Sequence, residues 1–437
     1  MNLPPSTNSA RVAYLTSQYP ATSHTFIRRE IAAVRALGLT VETFSIRTPA
    51  QEELHAEDDR READATFTVL SRPLREFLAA HVRQLFSRPA AYATTFLLAL
   101  SHRPPGVRSA LLAVAHFGES ILLAEQLHRR KIDHLHNHFA NSGATVGLLA
   151  SRYAKISWSF TIHGISEFDY PAGVNLPAKV AAAKFVACVS YFGRAQAARI
   201  VDPRYWPKLN IVRCGLELNR LPAPISETRS EIRMIFVGRL SAEKGLPGLL
   251  EAMSLMKSGA RSKLVIVGDG PLRARLERQC KALGFAERVE FLGRLPEADT
   301  LVEIASSDVL VLPSFMEGLP IVLMEALALG VPVVASRVAG IPELVEDGQT
   351  GLLFSASNWT ELADALDRLV SNQELREHLG LNGPVRIADE FDVRTSAAKL
   401  RDLFQAAAVG SVASPQAPPV LEDQNTSALS KGRKEAA

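Results

Sequence analysis

Pro313-Ser-Phe-Met-Glu317-Gly-Leu-Pro-Ile-Val-Leu-Met-Glu325-Ala-Leu-Ala-Leu-Gly330 follows the short apolar run Val309–Leu312. The run reads as a buried strand, and Pro320 suits the first turn of the helix that comes next. Glu317 then lies on the loop outside the carboxyl end of a strand, where open α/β sheets bind ligands. Gly318 lets backbone approach closely, and the helix start offers unpaired N–H groups to an anion. Glu325, eight residues on, falls in the early turns of the helix. Two carboxylates so placed can accept hydrogen bonds from vicinal hydroxyls, as sugars and ribose present them. The plainer reading is a solvated loop carboxylate and a helix-surface carboxylate. For Glu325 that reading is weak, because Leu323, Met324, Ala326 and Leu327 surround it and a carboxylate among them needs a partner.

Outward from this stretch the same alternation repeats. Arg233–Val237, Lys263–Val267, Val289–Leu292 and Pro332–Ala335 read as strands, with amphipathic helices such as Leu272–Leu283 and Leu301–Ala305 between them. The beginning of the chain shows an independent series. Arg11–Thr16 is a strand, Ser17–Ser23 a loop, Thr25–Leu37 a helix stopped by Gly38, and Thr40–Ile46 a strand. This βαβ opening favours a parallel sheet with right-handed crossovers. Asp133–His136, Trp158–Ile162 and Lys184–Ser190 read as its later strands. Leu221–Ser230, with two prolines, is the linker candidate between the two α/β halves.

Two further loops of the second half carry chemistry. In Val237-Gly238-Arg239-Leu240-Ser-Ala-Glu-Lys244-Gly245 a strand ends in glycine and two cations follow. Arg239 can make a forked contact to phosphate oxygens and Lys244 adds a point charge. Val267-Gly268-Asp269-Gly270-Pro271 has the form of a phosphate or nucleotide cradle, a motif of low specificity. The third glycine of a dinucleotide fingerprint and the Walker lysine are both missing, which argues against NAD and P-loop chemistry. Three such loops at strand C-termini of one sheet converge on one crevice. In the first half, His163-Gly164 follows a strand and precedes Ser166-Glu167-Phe168-Asp169. His163 reads either as a strand-end histidine satisfied by its neighbours or as a contact to a reacting sugar. His134, His136 and His138 share one face of a strand and are taken as neutral, hydrogen-bonded histidines, with no metal assigned.

Lys plus Arg number 49 against 46 Asp plus Glu, too even a balance for a dedicated nucleic-acid binder. The three cysteines are far apart and form no CxxC pair, so reduced thiols are expected and zinc is not. Met1–Ala10 lacks the pattern of a secretory signal. Tyr92–Leu100 is too short to span a bilayer and His116 and Glu119 interrupt Leu111–Ala124, so no transmembrane helix is expected. The segment Ser71–Lys131 departs from the α/β alternation. It is helix-rich, broken at Pro89 and Pro104-Pro105, and carries nine Lys or Arg against three acidic residues. It reads either as a surface for an anionic membrane or a lipid-borne substrate, or as an ordinary solvated insertion. Gly410–Ala437 has the composition of a flexible tail.

Together, the Glu317–Glu325 spacing, Gly238-Arg239 with Lys244, Gly268-Asp269-Gly270-Pro271, and Pro342-Glu343-Leu344 leading to Gly351-Leu-Leu-Phe354 resemble the retaining GT-B glycosyltransferases of family 4. Most of that resemblance lies between Arg233 and Phe354. Tyr19-Pro20, Ser23-His-Thr-Phe-Ile-Arg-Arg-Glu30 and His136-Asn-His-Phe-Ala140 are similar to colanic-acid-type exopolysaccharide glycosyltransferases. The resemblance implies two Rossmann-like domains facing a cleft. Residues 1–220 would be the acceptor side, with a helical insertion at 71–131, and 221–390 the nucleotide-sugar side. Residues 391–409 would form a C-terminal helix and 410–437 a disordered tail.

By the same resemblance Glu317 would hold donor-sugar hydroxyls, and Glu325 the ribose. Arg239 and Lys244 would neutralise the diphosphate without a metal. Gly318, Leu319 and Pro320 would bring backbone amides to it, His163 would lie near the sugar, and the backbone at Arg294 would border the base. The glycine loops at Gly238, Gly268 and Gly270 complete the donor side. Two departures stand out: Ser17–Ser23 has no glycine where many relatives have a Gly-Gly turn, and Ala339-Gly340 replaces a common Gly-Gly. The second is expected to cost little. The implied activity is transfer of a hexose from a UDP- or GDP-linked donor to an exopolysaccharide or lipid-linked glycan acceptor. It would take place in the cytoplasm or on the inner membrane face, with no cofactor and no nucleic acid. The alternative is a non-catalytic nucleotide-sugar-binding partner of an assembly complex; a Rossmann oxidoreductase explains the halves but not the missing fingerprint.

Overall fold

The computed structural model describes residues 10–21, 25–50, 54, 57–223 and 231–408. Gly410–Ala437, residues 224–230 of the expected linker, and Ser23 and His24 lie outside the described residues. The first half holds a seven-stranded sheet: β1 Arg11–Gln18, β2 Thr40–Arg47, β3 Phe67–Thr68, β4 His134–His138, β5 Ser157–Ile162, β6 Val186–Cys188 and β7 Leu209–Ile211. Its order is β3-β2-β1-β4-β5-β6-β7, and the strand pairs are parallel. The second half holds β8 Ile232–Val237, β9 Ser262–Val267, β10 Val289–Gly293, β11 Val309–Leu312, β12 Val333–Ser336 and β13 Gly351–Phe354, in the order β10-β9-β8-β11-β12-β13 and also parallel. The expected pair of Rossmann-like α/β domains is therefore present. Strand order reverses between β1 and β4 in one sheet and between β8 and β11 in the other, where such sheets open a crevice.

Three strands escape the sequence reading. β3 and β7 are two and three residues long, too short to show a period, and β13, four residues, is read only as part of the motif Gly351–Phe354. Lys184–Ser190 is strand only at Val186–Cys188.

The segment 71–131 is helix-rich as read, but it holds three helices where its sequence suggests a basic amphipathic pair: α1 Thr25–Ala36 and α2 Glu57–Ala65 precede it, and α3 Leu74–Ser87, α4 Pro89–Ser101 and α5 Val107–Arg129 lie within it. Proline at the first position of α4, and Pro104 and Pro105 before α5, supply the breaks. One correction concerns α5, which runs unbroken through His116 and Glu119. It is long and apolar enough, by length and composition, to cross a membrane. Its second half is core: Phe117, Ile121, Leu123, Ala124 and Leu127 pack with the first sheet. In its first half Val107, Leu111, Leu112 and Val114 are exposed.

The helix Val393–Ala408 returns from the second half to the first. Leu400, Phe404 and Ala407 are buried in one cluster with Tyr14, Ile27 and Val34. A second tie is Glu343, whose carboxylate accepts the N–H groups of Tyr191 and Phe192 at 2.8 and 2.7 Å and pairs with Arg213 at 2.5 Å. A carboxylate at the first turn of the helix Tyr191–Ile200 is favoured by the unpaired amides there.

Candidate active site

The loops after β8 and β11 flank the crevice of the second sheet, and they meet through one ion pair. Lys244 Nζ donates to Glu317 Oε1 at 2.6 Å, and Ser314 Oγ donates to the same oxygen at 2.7 Å. Two of the expected site residues are thus joined, with the cation held on the carboxylate.

Gly318 comes next and faces the first half. A β-carbon there would stand 1.8 Å from the His163 carbonyl oxygen, so only glycine lets the two backbones meet. His163, Gly318 and Leu319 line a cavity of about 280 Å³ between the halves, together with Phe26, Phe139 and Cys214. Pro320 precedes the helix Ile321–Ala328, and Glu325 lies inside that helix as expected.

The glycines of the Gly268-Asp269-Gly270 loop let it pack closely on the loop after β8. A β-carbon on Gly268 would fall 2.0 Å from the Gly238 carbonyl oxygen. Leu240 N–H donates to the Asp269 carbonyl and Leu272 N–H to the Leu240 carbonyl. Gly238, Gly268 and Gly270 therefore pack two loops backbone to backbone. Arg239 and Arg294 stand exposed at the ends of β8 and β10.

Glu325 has a partner that sequence reasoning did not supply. Arg29 of α1 donates to its Oε1 at 2.9 Å and also pairs with Glu297, while Arg28 reaches Glu297 at 3.2 Å. Burial raises the Glu325 carboxyl above its ordinary value, and the Arg29 guanidinium offsets that only in part. For Arg29, burial opposes the charge, and Glu325 and Glu297 outweigh it. The residue matched to ribose binding is thus held by the other half of the molecule.

Behind His163 the first half is polar and closed. Glu167, 4% exposed, accepts the N–H groups of Ala140, His163 and Gly164, the last two at 2.6 and 2.8 Å. Burial lowers Lys179 to about 7, partly offset by Glu167, and its Nζ donates to the carbonyls of Ala140 and Asn141. His134 bonds Ser157 and Ser159, and His136 bonds Ser159 and Thr161, so these two histidines are hydrogen-bonded as read. Burial takes both rings below their ordinary pKa, so they are neutral near pH 7. Glu30, His136 and His138 do lie close enough to hold an ion, but both His136 nitrogens are already paired with hydroxyls.

Glu30 was legible in principle, since it shares the apolar stripe of α1 with Ile27, Ile31 and Val34. Arg29 and Glu297 carried no such signal. The three cysteines are free and buried, as expected. Ala339 adopts φ +48°, the left-handed region, which costs a residue with a β-carbon about 1 kcal/mol. The missing glycine there is thus more expensive than the sequence suggested.

Residues 221–386 match the family described as glycosyl transferases group 1. Among curated proteins, alpha-D-kanosaminyltransferase of Streptomyces kanamyceticus is 34% identical over 173 residues, 39% of this chain and 45% of the relative. WcaL of Escherichia coli, named for colanic acid biosynthesis, is 34% identical over 167 residues, 36% of this chain and 41% of the relative. The chain spans less than half the length of the first curated relatives it matches. Among solved structures, sucrose-phosphate synthase of Thermosynechococcus elongatus superposes with a TM-score of 0.71 at 20% identity, covering 92% of this chain and all of that one. Anabaena HepE in complex with UDP gives 0.69 at 20% identity, covering 91% and 100%. Parallel sheets and crevice loops give the chain a two-domain GT-B fold like that of the superposed structures, and its residues 221–386 are similar to the glycosyl transferases group 1 family.

Proposed function

We propose that this chain is a retaining, metal-independent hexosyltransferase. It takes a UDP- or GDP-linked sugar and passes the hexose to an exopolysaccharide or lipid-linked glycan. The observation that carries the reading is the Lys244–Glu317 pair at the crevice of the second sheet, facing His163 across Gly318. Residues 221–390 take the donor and 1–220 the acceptor. The HepE structures with UDP and with UDP-glucose support a nucleotide-sugar donor.

Breaking the bond between the anomeric carbon and the phosphate oxygen builds negative charge on the diphosphate. Arg239 and Lys244 supply fixed positive charge there, which lowers the barrier most when it is in place before reaction. Lys244 exchanges its carboxylate partner for the diphosphate, and Glu317 is then released toward the sugar hydroxyls. Gly318, Leu319 and Pro320 bring backbone to the same place. Glu317 acts by positioning rather than as a covalent nucleophile. Glu325 takes the ribose once Arg29 yields it.

A thermal-shift titration with UDP, GDP, ADP and NAD tests the donor site. At 100 times the dissociation constant a ligand adds about 2.7 kcal/mol to stability. A rise in Tm with UDP or GDP and none with NAD is the expected result. No rise with any nucleotide would remove the donor site, and donor hydrolysis by the purified chain would remove the non-catalytic alternative.

The insertion serves as the membrane-facing side. Leu74, Leu78, Val82 and Leu85 form an outward stripe on α3, and Arg75 and Arg108 are exposed beside the apolar positions. An apolar stripe flanked by cations suits an anionic bilayer surface. Co-sedimentation should be tighter on vesicles containing phosphatidylglycerol than on pure phosphatidylcholine. Losing Arg75 and Arg108 together should weaken it by about 2 kcal/mol, roughly 30-fold. Equal binding to both vesicle types would end this reading.

A further inference from the structure

A line of polar contacts runs from Tyr14 and Glu30 to the cavity, and in it His138 Nε2 stands near the Glu30 carboxylate without a hydrogen bond among the described residues. Tyr14 Oη donates to Glu30 Oε1 at 2.9 Å, and His138 Nε2 stands 3.2 Å from the same oxygen. His138 Nδ1 is 2.9 Å from His163 Nε2, and His163 Nδ1 is 3.8 Å from Cys214 Sγ. Tyr14 and His138 are buried on β1 and β4, Glu30 on α1, and Cys214 just past β7. Phe139 and Phe26 pack on the His163 ring at 4.6 and 4.9 Å between centroids. The ring has little room to turn.

The chemistry of each partner sets the direction of this line. A carboxylate 3.2 Å away repels a lone pair and attracts an N–H, so charge rather than an aligned hydrogen bond favours N–H at His138 Nε2. A neutral imidazole with Nε2–H has its lone pair on Nδ1, which then requires an N–H from His163 Nε2. That leaves the lone pair of His163 on Nδ1. Burial foremost, and Glu30 next, raise the Cys214 thiol, which therefore keeps its proton and is a weak donor toward Nδ1.

We propose that Glu30, acting through His138, holds His163 as the Nε2–H tautomer, so that Nδ1 faces the cavity as an acceptor for a hydroxyl of the sugar. Glu30 and His138 are positioning residues. A sugar hydroxyl displaces the thiol because an O–H is the stronger donor. The sugar part of this inference rests on the function proposed above; the tautomer part does not.

Long-range proton–nitrogen correlation spectra of the nitrogen-labelled full chain, with His163→Gln to assign the signals, read the tautomer without any turnover. The expected result is a protonated Nε2 and an unprotonated Nδ1 at His163. A protonated Nδ1 in the native chain overturns the proposal, and this reading needs no other variant to fold. In Glu30→Gln the amide can donate to His138, which lets the line reverse. His163 should then move toward the Nδ1–H form. With UDP-glucose or GDP-mannose, whichever the native chain turns over, kcat should fall at least tenfold. KM and the Tm rise with UDP should change less than threefold. An unchanged tautomer and kcat in Glu30→Gln also overturn it. Failure of the glycosyltransferase reading would show separately, as a native chain with the expected tautomer and no donor turnover.

Discussion

Glu317→Ala should lose turnover by about 10²- to 10³-fold while the fold and nucleotide binding survive, taking the usual effect of removing one preorganised polar group from a transition state. Glu317 accepts from Lys244 and Ser314, so its loss frees one cation and one hydroxyl. Lys244 is 23% exposed in its side chain and can be hydrated, which keeps the stability cost near 1 kcal/mol. UDP should bind as well as before or more tightly, since Lys244 no longer has to leave a carboxylate to meet the diphosphate. A steady-state assay beside a UDP titration separates the two effects. Near-normal turnover would remove Glu317 from the site, and lost UDP binding with normal turnover would invert its role.

Arg29→Met has the largest expected effect on stability. Glu325 is buried in a helix among Leu323, Met324, Ala326 and Leu327, and Arg29 is the cation that meets it. Removing one member of a buried pair costs about 3–5 kcal/mol, because the other charge stays buried. The deficit should depend on pH. In the fold Glu325 holds its proton to a higher pH than in the unfolded chain. Between those two values the fold binds more protons, so stability from this group falls as pH rises. Without Arg29 the folded value rises further and that window widens upward. Urea unfolding at pH 5 and pH 8 should therefore show a larger deficit at pH 8. Equal deficits would mean that Glu325 ionisation does not set the loss, and a loss below about 1 kcal/mol would mean that the Arg29–Glu325 contact contributes little net.

The parts of the site that could be read in advance are those carried by local sequence. Glu317, Gly318 and Lys244 sit at strand ends, and a four- to six-residue apolar run followed by glycine or proline marks such an end wherever it occurs. The Gly268-Asp269-Gly270 loop shows the limit of that method. Its glycines read as a cradle, and nothing in the local sequence signals that they also let two loops press together, which depends on a neighbour thirty residues away. Glu30 lay on the apolar stripe of its helix and so announced a buried partner, but not which one.

By itself the sequence determined the two parallel sheets, the helix-rich character of 71–131 and the strand-end position of the second-half loops. These follow from periodicity and from the conformational limits of glycine and proline, which act over a few residues. Only the tertiary structure decided that Arg29 holds Glu325, that Lys244 rests on Glu317, and that Glu30 reaches His163 through His138. Buried charges and polar groups must find partners, and the partner is whichever group packing brings within about 3 Å, however far away it lies along the chain.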